Sequence, residues 1–148
     1  MGDPAPEFTL FDQARRPVSL AEFRGRKNVV LVFYPFAFTS VCGGELCAIR
    51  DNVGDLQNED VQVLTVSVDS VHAHRAWAQQ QGFDYPLLAD FWPHGAVAQA
   101  YGVFSAEMGA ALRGTFIIDR AGVLRWKVVN AVPDARELDS YRKVLADL

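Results

Sequence analysis

Six consecutive apolar residues, Val29 to Tyr34, are followed at once by Pro35, and this limits the fold more than any other stretch of the chain. A run apolar at every position, without alternation, is the pattern of a β-strand buried on both faces. From Val41 the apolar positions change to Leu46, Ile49, Val53 and Leu56, a three-and-four spacing that predicts a helix with one buried side. Cys42 falls at this hand-over, in or just before the first helical turn. The unpaired N–H groups and the positive end of the helix dipole there favour the thiolate. A cysteine thiol ordinarily titrates at about 8.5, and such placement lowers it to about 3.5–7.5, so Cys42 reads as a nucleophile.

The rest of the chain continues the alternation. Asp3 to Pro6 is an extended lead-in, Phe8 to Leu10 a short strand and Asp12 to Pro17 a turn. Ser19 is expected to cap a helical turn, Leu20 to Phe23, that Gly25 ends. Val61 to Val68 predicts a second buried strand, and Asp69-Ser70 starts a helix from about His72 to Gln81, stopped by Gly82. Pro86 to Ala89 reads as a strand and Ala96 to Tyr101 as a short helix closed by Gly102. Thr115 to Asp119 and Val123 to Val129 form an antiparallel hairpin through Arg120-Ala121-Gly122. A last helix carries Leu138, Tyr141, Leu145 and Leu148 on one stripe. The expected architecture is α/β, a mixed central sheet flanked by helices on both faces, in a single domain over 1–148.

Pro35, Thr39 and Cys42 form P-x-x-x-T-x-x-C, and this segment resembles the active-site signature of the peroxiredoxins. Ala5 to Leu10, Asp90-Phe91-Trp92-Pro93-His94-Gly95 and Arg113-Gly114-Thr115-Phe116 extend the resemblance over nearly the whole chain, towards the alkyl hydroperoxide reductase E subfamily. The resemblance implies a thioredoxin-like fold and a thiol-dependent peroxidase acting on hydrogen peroxide and organic hydroperoxides. It assigns Cys42 as the peroxidatic sulfur and Arg113 as the permanent positive charge beside it. Such a charge stabilises both the thiolate and the departing oxygen. Thr39 can accept the peroxide hydrogen or donate to an oxygen, and Pro35 shapes and shields the loop. Glu45 is a supporting residue that also suits a reciprocal helix cap.

Cys47 departs from the one-cysteine pattern of that subfamily. Its C-x4-C spacing from Cys42 occurs in some bacterioferritin-comigratory-type peroxiredoxins, where the second thiol resolves the first. Five steps of regular helix hold Cα atoms roughly 8.6 Å apart, beyond the ~7 Å limit for a disulfide. The first turn would have to unwind, and Gly43 and Gly44 weaken it by about 2 kcal/mol together. We prefer the resolving role; the alternative leaves Cys47 a spectator and has an external thiol reduce Cys42 directly. The expected reductant is a thioredoxin-like, glutaredoxin-like or low-molecular-weight thiol.

Other classes fit less well. A net charge of −4 without a Lys/Arg block argues against a nucleic-acid surface. No apolar run is long enough for a membrane span, and two cysteines without a visible export signal lead us to expect the cytoplasm. His72 and His74, two apart on a helix, point to nearly opposite sides and cannot share a metal there. No cofactor-binding motif is present. A C-x-x-C disulfide reductase is disfavoured by the spacing, and a non-catalytic redox sensor would share the fold. Phe36, Phe38, Phe91 and Trp92 are expected to line an apolar entrance or a homodimer contact.

Overall fold

The computed structural model describes residues 2–38, 59–130 and 143–148. Nine strands are named among them: β1 (Thr9–Phe11), β2 (Pro17–Ser19), β3 (Asn28–Phe33), β4 (Val61–Ser67), β5 (Leu87–Ala89), β6 (Phe104–Ser105), β7 (Ala110–Ala111), β8 (Arg113–Ile118) and β9 (Leu124–Asn130). A 3-10 turn spans Leu20–Phe23, and the helices α1 and α2 span Val71–Gln81 and Ala96–Ala100. Seven strands form one mixed sheet in the order β2-β1-β5-β4-β3-β8-β9, with β6 and β7 pairing separately. β3, β4 and β5 run parallel, whereas β8 is antiparallel to β3 and β9 antiparallel to β8.

The apolar run behaves as its composition predicts: every residue of β3 is buried. Alternate side chains enter opposite layers. Val30, Val32 and Tyr34 pack with Trp77 of α1, and Val29, Leu31 and Phe33 with Leu20 and Ala98. Leu145, in the helical turn at 143–146, joins the Trp77 layer. A strand between two apolar layers excludes water from its backbone, so its polar groups must find partners in the sheet.

Several elements match the local rules. Ser70 accepts the Ala73 amide at 3.1 Å and caps α1, and Gly82 ends that helix at φ 71°, where a side chain would be strained. The β8–β9 hairpin turns through Arg120, Ala121 and Gly122 as expected.

Other expectations are corrected. Ser19 stands at the start of the 3-10 turn but makes no side-chain cap; its hydroxyl meets Thr9 Oγ1 at 2.7 Å across the β1–β2 pair. β2 replaces the expected turn and cap, because its three residues acquire strand character only by pairing with β1. The β6–β7 pair, two residues to a strand, is a further difference from the expected elements. Leu148 does not continue a buried stripe; it is 44% exposed in the turn that ends the chain. Leu138, Tyr141 and the helix predicted after Cys42 lie outside the described residues.

The Asp90 to Gly95 segment has a structural basis. Asp90 is buried, and its carboxylate accepts the Val97 and Ala98 amides at the start of α2 at 3.1 and 2.9 Å. Burial pushes its carboxyl up while those amides and His94 pull the other way. Gly95 has φ 70°, and a Cβ there would overlap the Phe104 ring. His94 Nε2 donates to the Gly109 carbonyl at 2.6 Å, tying this segment to the β6–β7 turn.

Candidate active site

The site is built where β3 ends. Tyr34 N donates to Val66 O at 3.1 Å, which carries the parallel ladder one step past the strand; Pro35, with no N–H to donate, then turns the chain away. In the β3–β8 register Phe33 faces Gly114, so one further step sets Tyr34 opposite Arg113. Arg113 therefore opens β8 at the same end of the sheet where the Pro35 segment leaves β3. Both residues are partly buried. Thr39, Cys42, Glu45 and Cys47 lie outside the described residues.

The segment after Pro35 is tied down at consecutive residues. Ala37 N, on a buried residue, donates to Asp69 Oδ2 at 2.7 Å. Phe38 adopts φ 67°, a left-handed conformation that costs a bulky residue about 1 kcal/mol or more. Its ring lies 5.9 Å from that of Trp77 on α1.

Asp69 belongs to a buried polar group that sequence reasoning missed. Ser67 Oγ donates to Asp69 Oδ2 at 2.6 Å and stands 2.7 Å from His74 Nε2. Tyr34 Oη is 3.2 Å from the same nitrogen. Two short contacts at Ser67 Oγ require two protons, and the hydroxyl supplies one; the other belongs on His74 Nε2. Nδ1 makes no hydrogen bond of ordinary geometry. Burial lowers the imidazole from 6.5 to about 4, against the opposing pull of Asp69, so the ring is neutral near pH 7. The available signal was Thr65 and Ser67 alternating in a run otherwise apolar from Val63 to Val68, followed by Asp69 and His74.

His74 is fully buried and His72 is exposed, as the helical spacing required. Among the described residues no cluster of three or more His, Cys, Asp or Glu could hold a metal. Phe36, Phe38, Phe91 and Trp92 are all exposed. Phe91 and Trp92 line a hollow of about 350 Å³ with Phe11, Arg15 and His72, whereas Phe38 packs beside Trp77, so the four do not converge there. Among the described residues no helix is long and apolar enough to cross a membrane.

A mixed sheet with buried parallel centre strands, helices packed against it and an arginine opening the strand beside the β3 exit defines a thioredoxin-like fold of the peroxiredoxin kind. Residues 1–127 match the family model described as the AhpC/TSA family. The chain is 47% identical over 148 residues to alkyl hydroperoxide reductase E of Mycobacterium tuberculosis, covering all of this chain and 97% of that one. It is 42% identical to peroxiredoxin-2 of Rattus norvegicus, over 98% of this chain and 77% of the relative. The crystal structure of peroxidoxin BcpB from Mycobacterium tuberculosis superposes with a TM-score of 0.88 at 31% identity, covering 99% and 96% of the two chains. The chain belongs to the AhpC/TSA family and is a peroxiredoxin, a thiol-dependent hydroperoxide reductase.

Proposed function

We propose that the protein reduces hydrogen peroxide and organic hydroperoxides through Cys42, with Thr39, Pro35 and Arg113 completing the site and Cys47 resolving the oxidised sulfur. The Cys42 thiolate attacks one peroxide oxygen; an S–O bond forms, the O–O bond breaks, and the departing hydroxide or alkoxide takes a proton. The Cys42 sulfenic acid then condenses with the Cys47 thiol to give a disulfide and water. An external thiol, of the low-molecular-weight, thioredoxin-like or glutaredoxin-like kind, returns two electrons and two protons.

The observation that carries this reading is the sheet register. Arg113 opens β8 one ladder step beyond the Phe33–Gly114 pair, beside the exit of the chain towards Cys42. A guanidinium retains its charge at every working pH, as a site that forms an alkoxide requires. Glu45 has a supporting role near the thiol. The chain acts as one domain in the cytoplasm and pairs with a second copy, a contact that would cover exposed aromatic residues such as Phe91 and Trp92.

The test treats the reduced protein and its Cys47→Ser variant with one equivalent of hydroperoxide, then counts thiols and records intact masses. A native chain that loses both thiols and two hydrogens, with a variant that gains one oxygen, supports the two-cysteine cycle. A native chain that gains oxygen and keeps one thiol makes Cys47 a spectator. No oxidation of Cys42 in either protein overturns the reading.

A further inference from the structure

We propose that Asp69 is a positioning residue for the peroxidase reaction: its carboxylate, braced by Ser67 and His74, fixes the Ala37 backbone and so aims the segment that continues into Thr39 and Cys42. The inference rests on the reading of Cys42 as the attacking sulfur.

Ala37 is two residues before Thr39 and five before Cys42, so the direction of the backbone at Ala37 and Phe38 sets the start of the reactive segment. That direction is an unusual one. A phenylalanine in the left-handed region persists only where its surroundings over-determine it. Two contacts do so here, one on the preceding residue and one through the strained residue's own ring: the Ala37 amide on Asp69 Oδ2 at 2.7 Å, and the Phe38 ring against Trp77. Removing Asp69 would leave a buried amide without this acceptor and free the backbone to relax towards ordinary φ.

Asp69 is itself held in place. Its Oδ2 takes the Ser67 hydroxyl at 2.6 Å, and Ser67 Oγ takes the His74 Nε2 proton, with the imidazole wholly buried under α1. The resulting chain of donors runs from His74 to Ser67 to Asp69, where Ala37 meets it from the other side. Ser67 ends β4 and Ala37 follows β3, two strands that pair in parallel, so the network clamps the two strand exits that flank the site. The side chain of Asp69 is 18% exposed, which suits a structural anchor with its working oxygen turned inward.

A misplacement of about 1 Å in a reacting group can cost on the order of a hundredfold in rate. The experiment compares native protein with Asp69→Ala, Asp69→Asn and Ser67→Ala, measuring Cys42 oxidation by hydrogen peroxide and, separately, Cys42 alkylation by iodoacetamide, each site identified by peptide mass. Alkylation needs only an accessible thiolate, whereas peroxide reduction needs the aligned site. Asp69→Ala is expected to slow peroxide oxidation about ten- to a hundredfold while alkylation stays within about twofold. Asp69→Asn, whose carbonyl oxygen can still accept the Ala37 amide, should recover most of the rate. An oxidation rate in folded Asp69→Ala within about twofold of native overturns the proposal, as does an equal fall in both reactions. Should Asp69→Ala not fold, the ratio of peroxide oxidation to alkylation is expected to stay native-like in Asp69→Asn and to fall in Ser67→Ala; an unimpaired serine variant overturns the proposal. If peroxide oxidises Cys47 instead of Cys42 in the native protein, the underlying reading fails, which the peptide masses separate from a failure of Asp69.

Discussion

Ser67 Oγ lies 2.6 Å from Asp69 Oδ2 and 2.7 Å from His74 Nε2, joining a carboxylate near the surface to an imidazole fully withdrawn from solvent. Strand β4 ends at this serine, and α1 supplies the histidine four residues after Ser70, whose hydroxyl accepts the Ala73 amide. The arrangement spans the end of one strand and the first turn of the next helix. It is therefore fixed by the βα connection itself, and it constrains how the protein responds to acid.

Stability should fall in mildly acidic solution because of His74. The ring titrates at about 4 in the folded protein against 6.5 when unfolded, so the unfolded chain binds the proton more readily. The contribution is fully present above about pH 6.5, declines as pH falls towards about 4 and levels off below, a loss of about 3 kcal/mol at most. Asp69, 3.9 Å away, and Tyr34 are titratable groups that face the imidazole. Urea unfolding of native protein and His74→Gln across this range checks it: the native midpoint should drop more steeply. Parallel curves would remove His74 as the cause.

Arg113→Ala should lower peroxidase activity by about 10²–10³, the effect of losing one donor to a developing oxyanion, or about 2.7–4 kcal/mol of barrier. Arg113→Lys keeps the charge but not the planar fork of donors and should restore only part of the rate. Steady-state turnover with hydrogen peroxide is the measurement. Undiminished turnover in the alanine variant would dismiss the role assigned to Arg113.

Gly95→Ala should destabilise the protein by about 2–4 kcal/mol, combining left-handed backbone strain with overpacking. The added Cβ would overlap the Phe104 ring at φ 70°. Gly82→Ala, also at positive φ but with open space around its Cβ, should cost less, about 1 kcal/mol. Thermal unfolding of the two variants compares strain alone with strain plus collision, and equal losses would contradict the packing argument.

The elements legible beforehand are those whose causes are local. Val29 to Phe33 is apolar at every position and can be stable only between two layers; Ser70 and Gly82 bracket α1 through their own backbone preferences; Gly122 allows the β8–β9 turn. Ser19 shows where this reasoning stops. A serine before a helical turn has the local properties of a cap, but its hydroxyl went to Thr9, ten residues earlier, because β1 and β2 pair there. β2 and the β6–β7 pair are too short to carry a periodic signal and exist through their partners.

The sequence by itself determined the alternation of buried strands and helices, the spacing of Pro35, Thr39 and Cys42, and the separation of His72 from His74 onto different sides of α1. These follow from covalent neighbours and from the repeat of helix and strand, which need no knowledge of what lies across the sheet. Tertiary structure decided that Arg113 opens its strand beside the exit of β3 and that Asp69 receives the Ala37 amide. Those relationships depend on strand order and register, set by how two apolar layers close around β3 and β4, and residues more than thirty positions apart become neighbours only when that closure occurs.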